Sequence, residues 1–202
     1  MERTDDILDF LRKAEGLKSA IRYGKTTNGR QESAAEHSWR VALMSFIVAD
    51  ELGLDIDVCR AMKMAAVHDI TEALTGDIDF IRISDGKATK EGKRDAEERA
   101  MAELGKTLSG KSGDELCSLW NEYEAGQTEI ARYVRAIDKL ETLSQLVESG
   151  YETYDRPELI PNYADAAVRA FPQLSPMLVS IKTRLRAEFD KAGFKWIETY
   201  DL

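Results

Sequence analysis

Cysteine, proline and long apolar runs are all scarce in this sequence of 202 residues, and each scarcity excludes a class of protein. Its two cysteines, Cys59 and Cys117, lie far apart and can form at most one disulfide, so a zinc finger or a disulfide-rich scaffold is excluded. With only 4 prolines, the chain favours helices over a loop-rich all-β fold. The longest apolar run, around residues 41–49, is too short to span a bilayer.

Excess negative charge excludes a second group of functions. The chain has 28 basic and 37 acidic residues, a net charge of −9, which argues against a nucleic-acid polymer or an anionic membrane as partner. A small phosphate ester remains compatible, because local basic residues and a bound cation can override the global field. Residues 1–6 are charged and show no secretory signal. We therefore expect a cytoplasmic protein.

Apolar residues recur at helical spacing over most of the chain, which predicts an all-α fold. Ser33–Glu36 and Ser112–Glu115 both have the form of a capping box, a helix-start signal. We expect residues 21–30 to be an irregular connection and residues 77–88 to be irregular, with Phe80 among the apolar anchors. The pattern predicts one domain over residues 1–202, with a motif-bearing core at about 7–150 and closing helices and a tail at 151–202. The expected helices are 4–20, 33–52, a third that is capped by Asp55 or Asp57 and runs to 68, 89–108, 112–125, 128–149, 164–171 and 174–189.

The chain holds only two histidines, and both fall on apolar helical patterns. His68 is followed directly by Asp69, and burying such a pair costs free energy unless something compensates it. A metal ion is the usual compensation, with a neutral imidazole nitrogen as one ligand. His37 lies on the apolar stripe of its own helix. A single inward histidine is more often a hydrogen-bonded core residue, but the pair at 68–69 favours a shared site.

Acidic residues complete the candidate site. Asp138 sits between apolar neighbours in a long helix, which is unusual unless it is paired or on a metal. A buried ion pair with a nearby lysine or arginine is the competing interpretation. Glu72 follows His68 by four residues and shares its face if the helix continues that far. Gly76 marks a turn that would deliver Asp77 to the same helix end.

Two groups of basic residues have a less specific pattern. Arg22, Lys25 and Arg30 lie in the predicted connection, where they could face an anion or simply be solvated. The charged helix at 89–108 is interpreted as a solvated face with i,i+4 ion pairs.

The order His37, His68-Asp69, Asp138 resembles the H…HD…D signature of the HD-domain metal-dependent phosphohydrolases. The segments around these residues (32–38, 67–72 and 74–78) are similar to those of the HD-domain 5′-deoxynucleotidases. The resemblance covers roughly residues 7–150. It implies an all-α HD-type helical bundle, usually a homodimer, that hydrolyses deoxyribonucleoside 5′-monophosphates.

The same resemblance implies roles for individual residues. One divalent ion (Co, Mn, Mg, Fe, Ni or Zn) would be bound by His37, His68, Asp69 and Asp138. Glu72 and Asp77 would serve the proton transfers, and the substrate would contact Arg22, Tyr23, Asp77 and Ile78. Tyr23 stands where a tryptophan is expected in the bacterial enzyme, which predicts looser discrimination against a 2′-hydroxyl. Two alternatives stay open, namely an HD phosphohydrolase acting on a dinucleotide or alarmone, and a non-catalytic nucleotide sensor that contains a metal.

Overall fold

Helices dominate the computed structural model, which describes residues 2–78 and 80–201. The only sheet in this part of the chain pairs β1 (Ile21–Lys25) with β2 (Gln31–Ser33) in antiparallel fashion. The prediction of an all-α fold is confirmed. The helices are α1 (Glu2–Ala14), α2 (Ala34–Glu51), α3 (Val58–Val67), α4 (Glu72–Thr75), α5 (Phe80–Ser84), α6 (Lys90–Thr107), α7 (Lys111–Ala125), α8 (Glu129–Ser149), α9 (Asp165–Ala170) and α10 (Ser175–Ala192).

Side-chain caps account for several of the predicted helix starts. The Ser33 hydroxyl accepts the backbone N–H of Glu36, and the Glu36 carboxylate accepts the backbone N–H of Ser33, so the predicted capping box is confirmed. Asp57 and Thr128 accept the backbone N–H three residues later, at 2.9 and 3.1 Å. These caps satisfy amide groups that a helix leaves unpaired at its first turn.

Two predictions near the N-terminus are wrong because tertiary contacts decide the local structure. The first helix ends at Ala14 and continues as a 3₁₀ turn, Glu15–Lys18. A Cβ at Gly16 would lie 2.4 Å from the carbonyl oxygen of Ala73, so this turn packs directly against the α4 backbone. The expected irregular connection is instead the β1–β2 hairpin, and Gln145 of α8 donates to the Lys25 carbonyl at 2.7 Å.

Two further predictions are corrected in the middle of the chain. The capping box at Ser112 does not form, because α7 already starts at Lys111, after Gly110 with φ +78°. The segment 77–88 is not wholly irregular, since it contains α5. The side chain of Phe80 lies outside the described part of the structure.

The main core is organised around α8, whose apolar residues Val134, Ile137, Leu140 and Leu143 are fully buried against α2, α3 and α10. Full burial of each such side chain stabilises the fold by about 1.5–3 kcal/mol. A smaller apolar cluster is formed by α1, α4, α6 and α7. Val67 packs against both clusters. The residues that follow it therefore lie where the two clusters meet.

The closing helices and tail pack on the main core. The Phe194 and Trp196 rings contact Phe189 of α10 with centroid separations of 5.6 and 5.3 Å, so the aromatic tail packs on the body of the protein. Cys59 and Cys117 are both free thiols. Among the described residues, no helix has the length and apolar character needed to cross a membrane.

Candidate metal centre

Three separate elements bring the histidines and acidic candidates together. His37 lies in the first turn of α2, and His68 with Asp69 follows the end of α3. Asp69 Oδ2 is 3.8 Å from His37 Nε2 and 3.2 Å from His68 Nε2. One donor atom from each of these three residues lies within 4.8 Å of the others, a separation that a single metal ion could bridge.

Asp138 reaches this group from α8. Its Oδ1 atom is 3.1 Å from His37 Nε2, while Oδ2 accepts the Tyr123 hydroxyl at 2.7 Å and pairs with Lys139 Nζ at 2.9 Å. Both interpretations of this buried aspartate therefore have a counterpart. One oxygen faces the candidate ligands, and the other pairs with Lys139, whose side chain is half-buried.

The orientation of His68 fits a cation. Its Nδ1 atom lies 2.7 Å from the carbonyl oxygen of Ala65 and donates a hydrogen bond there. With the proton assigned to Nδ1, Nε2 carries a lone pair on the side of the ring that faces Asp69. This buried Nε2 makes no hydrogen bond within the described structure. A neutral imidazole nitrogen without a hydrogen bond, beside a carboxylate, is a suitable ligand for a divalent transition metal.

Glu72 reaches the site by another route than predicted. The helix does not continue through His68. Helix α3 ends at Val67, and a tight turn follows in which the N–H of Glu72 donates to the Asp69 carbonyl at 2.9 Å. The Ala65 carbonyl is bonded to the His68 ring at this point, which favours the end of the helix. Glu72 opens α4 and is buried, with its Oε2 making no hydrogen bond among the described residues.

A cavity of about 490 Å³ opens beside this cluster. Its volume falls in the range typical of small-molecule sites. His37 is fully buried behind the wall. The predicted site residues that line the cavity are Arg22, Tyr23, His68, Asp69, Glu72, Asp77, Ile78 and Asp138.

Arg22 projects from β1 into the cavity. It donates to Asp69 Oδ2 at 3.0 Å and to Thr142 Oγ1 at 3.3 Å, with its Nε 3.7 Å from Glu32. The neighbouring Tyr23 hydroxyl accepts the backbone N–H of Asp155 at 2.9 Å. Of the three basic residues in the hairpin, Arg22 is thus the one that lines the cavity.

The interpretation of α6 as a solvated face with i,i+4 ion pairs is incomplete. The pairs Lys93–Glu97 and Arg94–Glu98 form, but the same helix also borders the cavity. Lys90, Lys93, Arg94 and Glu97 line the same cavity. Lys93 donates to the Ile78 carbonyl at 3.1 Å and its Nζ lies 3.8 Å from Glu72 Oε1. One end of α6 therefore lines part of the cavity and brings a second group of cations to the site.

Burial and neighbouring charges shift the pKa values of the acidic groups in different directions. Burial, together with Asp69 and Asp77, raises the pKa of Glu72 to about 9. Burial alone would raise the pKa of Asp69, but its contacts with His68 and Arg22 outweigh burial and lower that pKa. Such divergent shifts in one cavity are typical of functional sites.

The pKa of His37 is shifted by two carboxylates of its own, those of Glu141 and Asp138. Burial and Arg22 would lower the pKa of His37, but Glu141 and Asp138 outweigh them and raise it to about 9. The acidic groups around His37 thus favour a positive charge at this position, which is consistent with a cation site.

Sequence reasoning missed four buried or cavity-lining neighbours of the site. Glu141 carried a usable signal, because it follows Asp138 by three residues and breaks the apolar face of α8. The others gave no comparable signal, since Tyr123 continues an ordinary apolar stripe. These neighbours are Glu32, Tyr123, Lys139 and Glu141.

The chain combines an all-α fold with two histidines and two aspartates beside a cavity. These features place it in the class of helical proteins with a candidate His/Asp metal centre. The model of one family, described as HD domain, matches residues 14–163. This chain belongs to the HD domain family.

Relatives and solved structures agree with this membership. The chain is 35% identical over 162 residues to 5′-deoxynucleotidase HDDC2 of Dictyostelium discoideum, with 77% of this chain and 81% of that protein covered. It is 31% identical over 186 residues to the protein of the same name from Bos taurus, covering 91% and 85%. A crystal structure described as a predicted metal-dependent phosphohydrolase from Magnetospirillum magnetotacticum is similar with a TM-score of 0.79 and 25% identity, covering 97% of this chain and 100% of that one.

Proposed function

We propose that this protein is a metal-dependent 5′-deoxynucleotidase, which hydrolyses deoxyribonucleoside 5′-monophosphates to nucleoside and phosphate. The observation that carries the proposal is the group of His37, His68 and Asp69, with both histidines buried, beside a cavity that Arg22 lines. The shared name of the relatives, 5′-deoxynucleotidase, supports the substrate class.

In this proposal, His37, His68, Asp69 and Asp138 hold one divalent ion. Two imidazoles and two carboxylates suit Co, Mn, Fe, Ni or Zn, and Mg is the candidate that prefers oxygen ligands. When bound, such an ion acts as a Lewis acid that lowers the pKa of water and screens phosphate charge.

The protein side chains bind the phosphate, transfer protons and contact the nucleoside. Arg22 presents a planar fork to the phosphate oxygens. Glu72 accepts the proton of the attacking water, and Asp77 hydrogen-bonds a sugar hydroxyl or protonates the leaving 5′-oxygen. Tyr23 and Ile78 contact the nucleoside. All five residues line the same cavity, which supports this division.

A second candidate function is hydrolysis of a dinucleotide or alarmone. The observation that favours it is the group of cations on α6, where Lys90 and Lys93 face the cavity. A substrate with more than one phosphate would use such a second cationic wall. The shared name of the relatives favours the monophosphate.

Assembly and location are part of the same proposal. We place the protein in the cytoplasm, which the two free thiols Cys59 and Cys117 support. We also propose a single domain over residues 1–202, which is supported by the packing of α10 in the main core. A homodimer would cover exposed apolar side chains such as Trp39 and Ile47 of α2.

The test is phosphate release from a panel of deoxy- and ribonucleoside 5′-monophosphates. The chelated protein is assayed alone and with added Co, Mn, Mg or Zn, beside dinucleotide and alarmone substrates. Metal-dependent release that favours the deoxy forms is the expected result. Release from only the dinucleotides or alarmones would favour the second candidate. No release from any substrate, with metal still bound, would favour a sensor.

A further inference from the structure

A buried carboxylate contacts Nδ1 of the His37 ring. His37 Nδ1 lies 2.5 Å from Glu141 Oε2, and both side chains are fully buried. The other ring nitrogen, Nε2, faces Asp138 and Asp69. We propose that Glu141 is a positioning residue, which accepts a hydrogen bond from Nδ1 and thereby aims Nε2 of His37 at the metal. This inference rests on the metal centre of the proposed function.

The chemistry of imidazole gives this contact its effect. A neutral ring carries one proton, and a carboxylate at Nδ1 keeps the proton on that nitrogen. The lone pair is then on Nε2, where a metal ligand is required. A carboxylate behind a ligating histidine also raises the basicity of the ring and fixes its rotation. His68 achieves the same orientation with a neutral backbone carbonyl.

An ordinary ion pair does not account for the burial of Glu141. Its second oxygen, Oε1, is buried and makes no hydrogen bond within the described structure. The guanidinium of Arg40 is near, with Nε at 3.8 Å from that oxygen, but its forked donors bond Glu148 and Gln145 instead. Burying a carboxylate with one free oxygen is costly, so its strong bond to His37 indicates a specific role.

The surrounding contacts fix the distance between the two helices that carry this pair. His37 and Arg40 are one turn apart on α2, and they face Glu141, Gln145 and Glu148 along one side of α8. Gln145 also donates to the Lys25 carbonyl of β1. The register of α2, α8 and the strand that carries Arg22 is therefore set by one continuous set of polar contacts.

The experiment compares the whole protein with two variants, Glu141→Leu and Glu141→Gln, using Co²⁺ as the probe. The absorption spectrum of bound Co²⁺ reports ligand geometry, and titration gives both affinity and stoichiometry. We expect Glu141→Leu to weaken Co²⁺ binding roughly 10–100-fold and to change the spectrum. Glu141→Gln retains an acceptor oxygen for Nδ1 and should recover part of that loss.

Ser45→Ala is the matched control, because Ser45 is also fully buried on α2 and bonds only its own helix through its hydroxyl. Urea unfolding of each metal-free variant separates general destabilisation from loss of metal affinity.

Four outcomes would overturn the assignment. The first is wild-type affinity and spectrum in Glu141→Leu, and the second is an equal loss of Co²⁺ affinity in Ser45→Ala. The third is absence of metal binding by the wild type. The last is binding of two Co²⁺ ions per wild-type chain, of which Glu141→Leu loses one. The last would make Glu141 a ligand, together with Glu32 and His37, whose donor atoms lie within 4.8 Å of one another. Normal Co²⁺ binding without phosphate release would refute the proposed function but leave the role of Glu141 intact.

Discussion

Arg22 Nη1 donates a hydrogen bond to Asp69 Oδ2 over 3.0 Å, which joins the candidate phosphate-binding residue directly to a candidate metal ligand. The pair is largely buried, and Arg22 is also held by Thr142. The guanidinium is therefore preorganised at the wall of the cavity before any substrate enters. A phosphate bound by Arg22 would lie next to the metal centre.

Arg22→Lys is predicted to raise KM for a nucleoside monophosphate about 10-fold or more, because a lysine cannot form the planar two-pronged contact and charged hydrogen bonds are worth roughly 1.5–3 kcal/mol. Steady-state kinetics measure the change, and metal content verifies that the centre is retained. Arg12→Lys is the matched control, since Arg12 is an exposed residue of α1. An unchanged KM in Arg22→Lys would remove Arg22 from phosphate binding.

Asp138→Asn is predicted to weaken metal binding at least about 10-fold, because the amide loses the negative charge while it keeps the shape of the side chain. Metal analysis after dialysis against a weak chelator measures the loss. Asp9→Asn, an exposed change on α1, serves as the control. Full metal occupancy in Asp138→Asn would leave the ion pair with Lys139 as the role of this aspartate.

The metal candidates could be predicted from sequence because their signals are local. His37 follows a capping box that fixes where α2 begins, and His68-Asp69 ends an apolar helical stripe. The approach of α6 to the cavity could not be predicted, because burial of Met101 and Leu104 in the smaller core sets it. A charged helix surface has the same pattern whether it faces water or borders a cavity. Lys93 illustrates this limit.

Long-range contacts also decided the β1–β2 hairpin. Its residues include Gly24 and lack the alternation of a half-buried strand. The contacts that hold it include those with Gln145 and Thr142 of α8, more than 100 residues away. Local pattern left Arg22 undecided between an anion site and solvent, and it did not predict the strand that carries this residue. The resemblance to the HD-domain 5′-deoxynucleotidases is what indicated Arg22 as a substrate contact.

Glu72→Gln is predicted to retain the metal but to lower kcat about 100-fold or more, because the amide cannot accept a proton. The pKa of Glu72 is raised to about 9 by burial and by Asp69 and Asp77, and a base works only in its ionised form. Activity of the wild type should therefore rise with pH along an acidic limb that ends at or below pH 9, since a bound cation lowers this pKa. Measured pH–rate profiles should show that limb in the wild type and lack it in the variant; a wild-type kcat in Glu72→Gln would exclude Glu72 as the base.

Tyr23→Ala is predicted to raise activity on ribonucleotides relative to deoxyribonucleotides, because removing the ring leaves room for a 2′-hydroxyl. The ratio of kcat/KM for matched nucleotide pairs measures the effect. Tyr23→Phe is the control, since it removes only the hydroxyl that accepts the Asp155 N–H. If the ratio is the same in all three proteins, Tyr23 does not discriminate between the sugars.

The capping box of α2 gives a prediction for stability against pH. Hydrogen bonds from Arg30 and from the Ser33 backbone lower the pKa of Glu36 to about 2, below its ordinary value of 4.5. A group whose pKa is lowered by folding stabilises the protein above its unfolded pKa, and that contribution is lost as the pH falls towards the folded pKa. Ionised Glu36 should therefore stabilise the fold fully above about pH 5 and progressively less between about pH 4.5 and 2.

Glu36→Gln isolates this contribution, because glutamine retains the capping geometry but carries no charge to pair with Arg30. Urea unfolding of the two proteins should show a lower midpoint for the variant at pH 7 and a difference that shrinks as the pH falls below 4.5. Ser33→Ala, which removes the cap itself, should cost about 1 kcal/mol at pH 7. A midpoint difference for Glu36→Gln that stays constant from pH 7 to pH 3 would mean that the charge of Glu36 does not stabilise the start of α2.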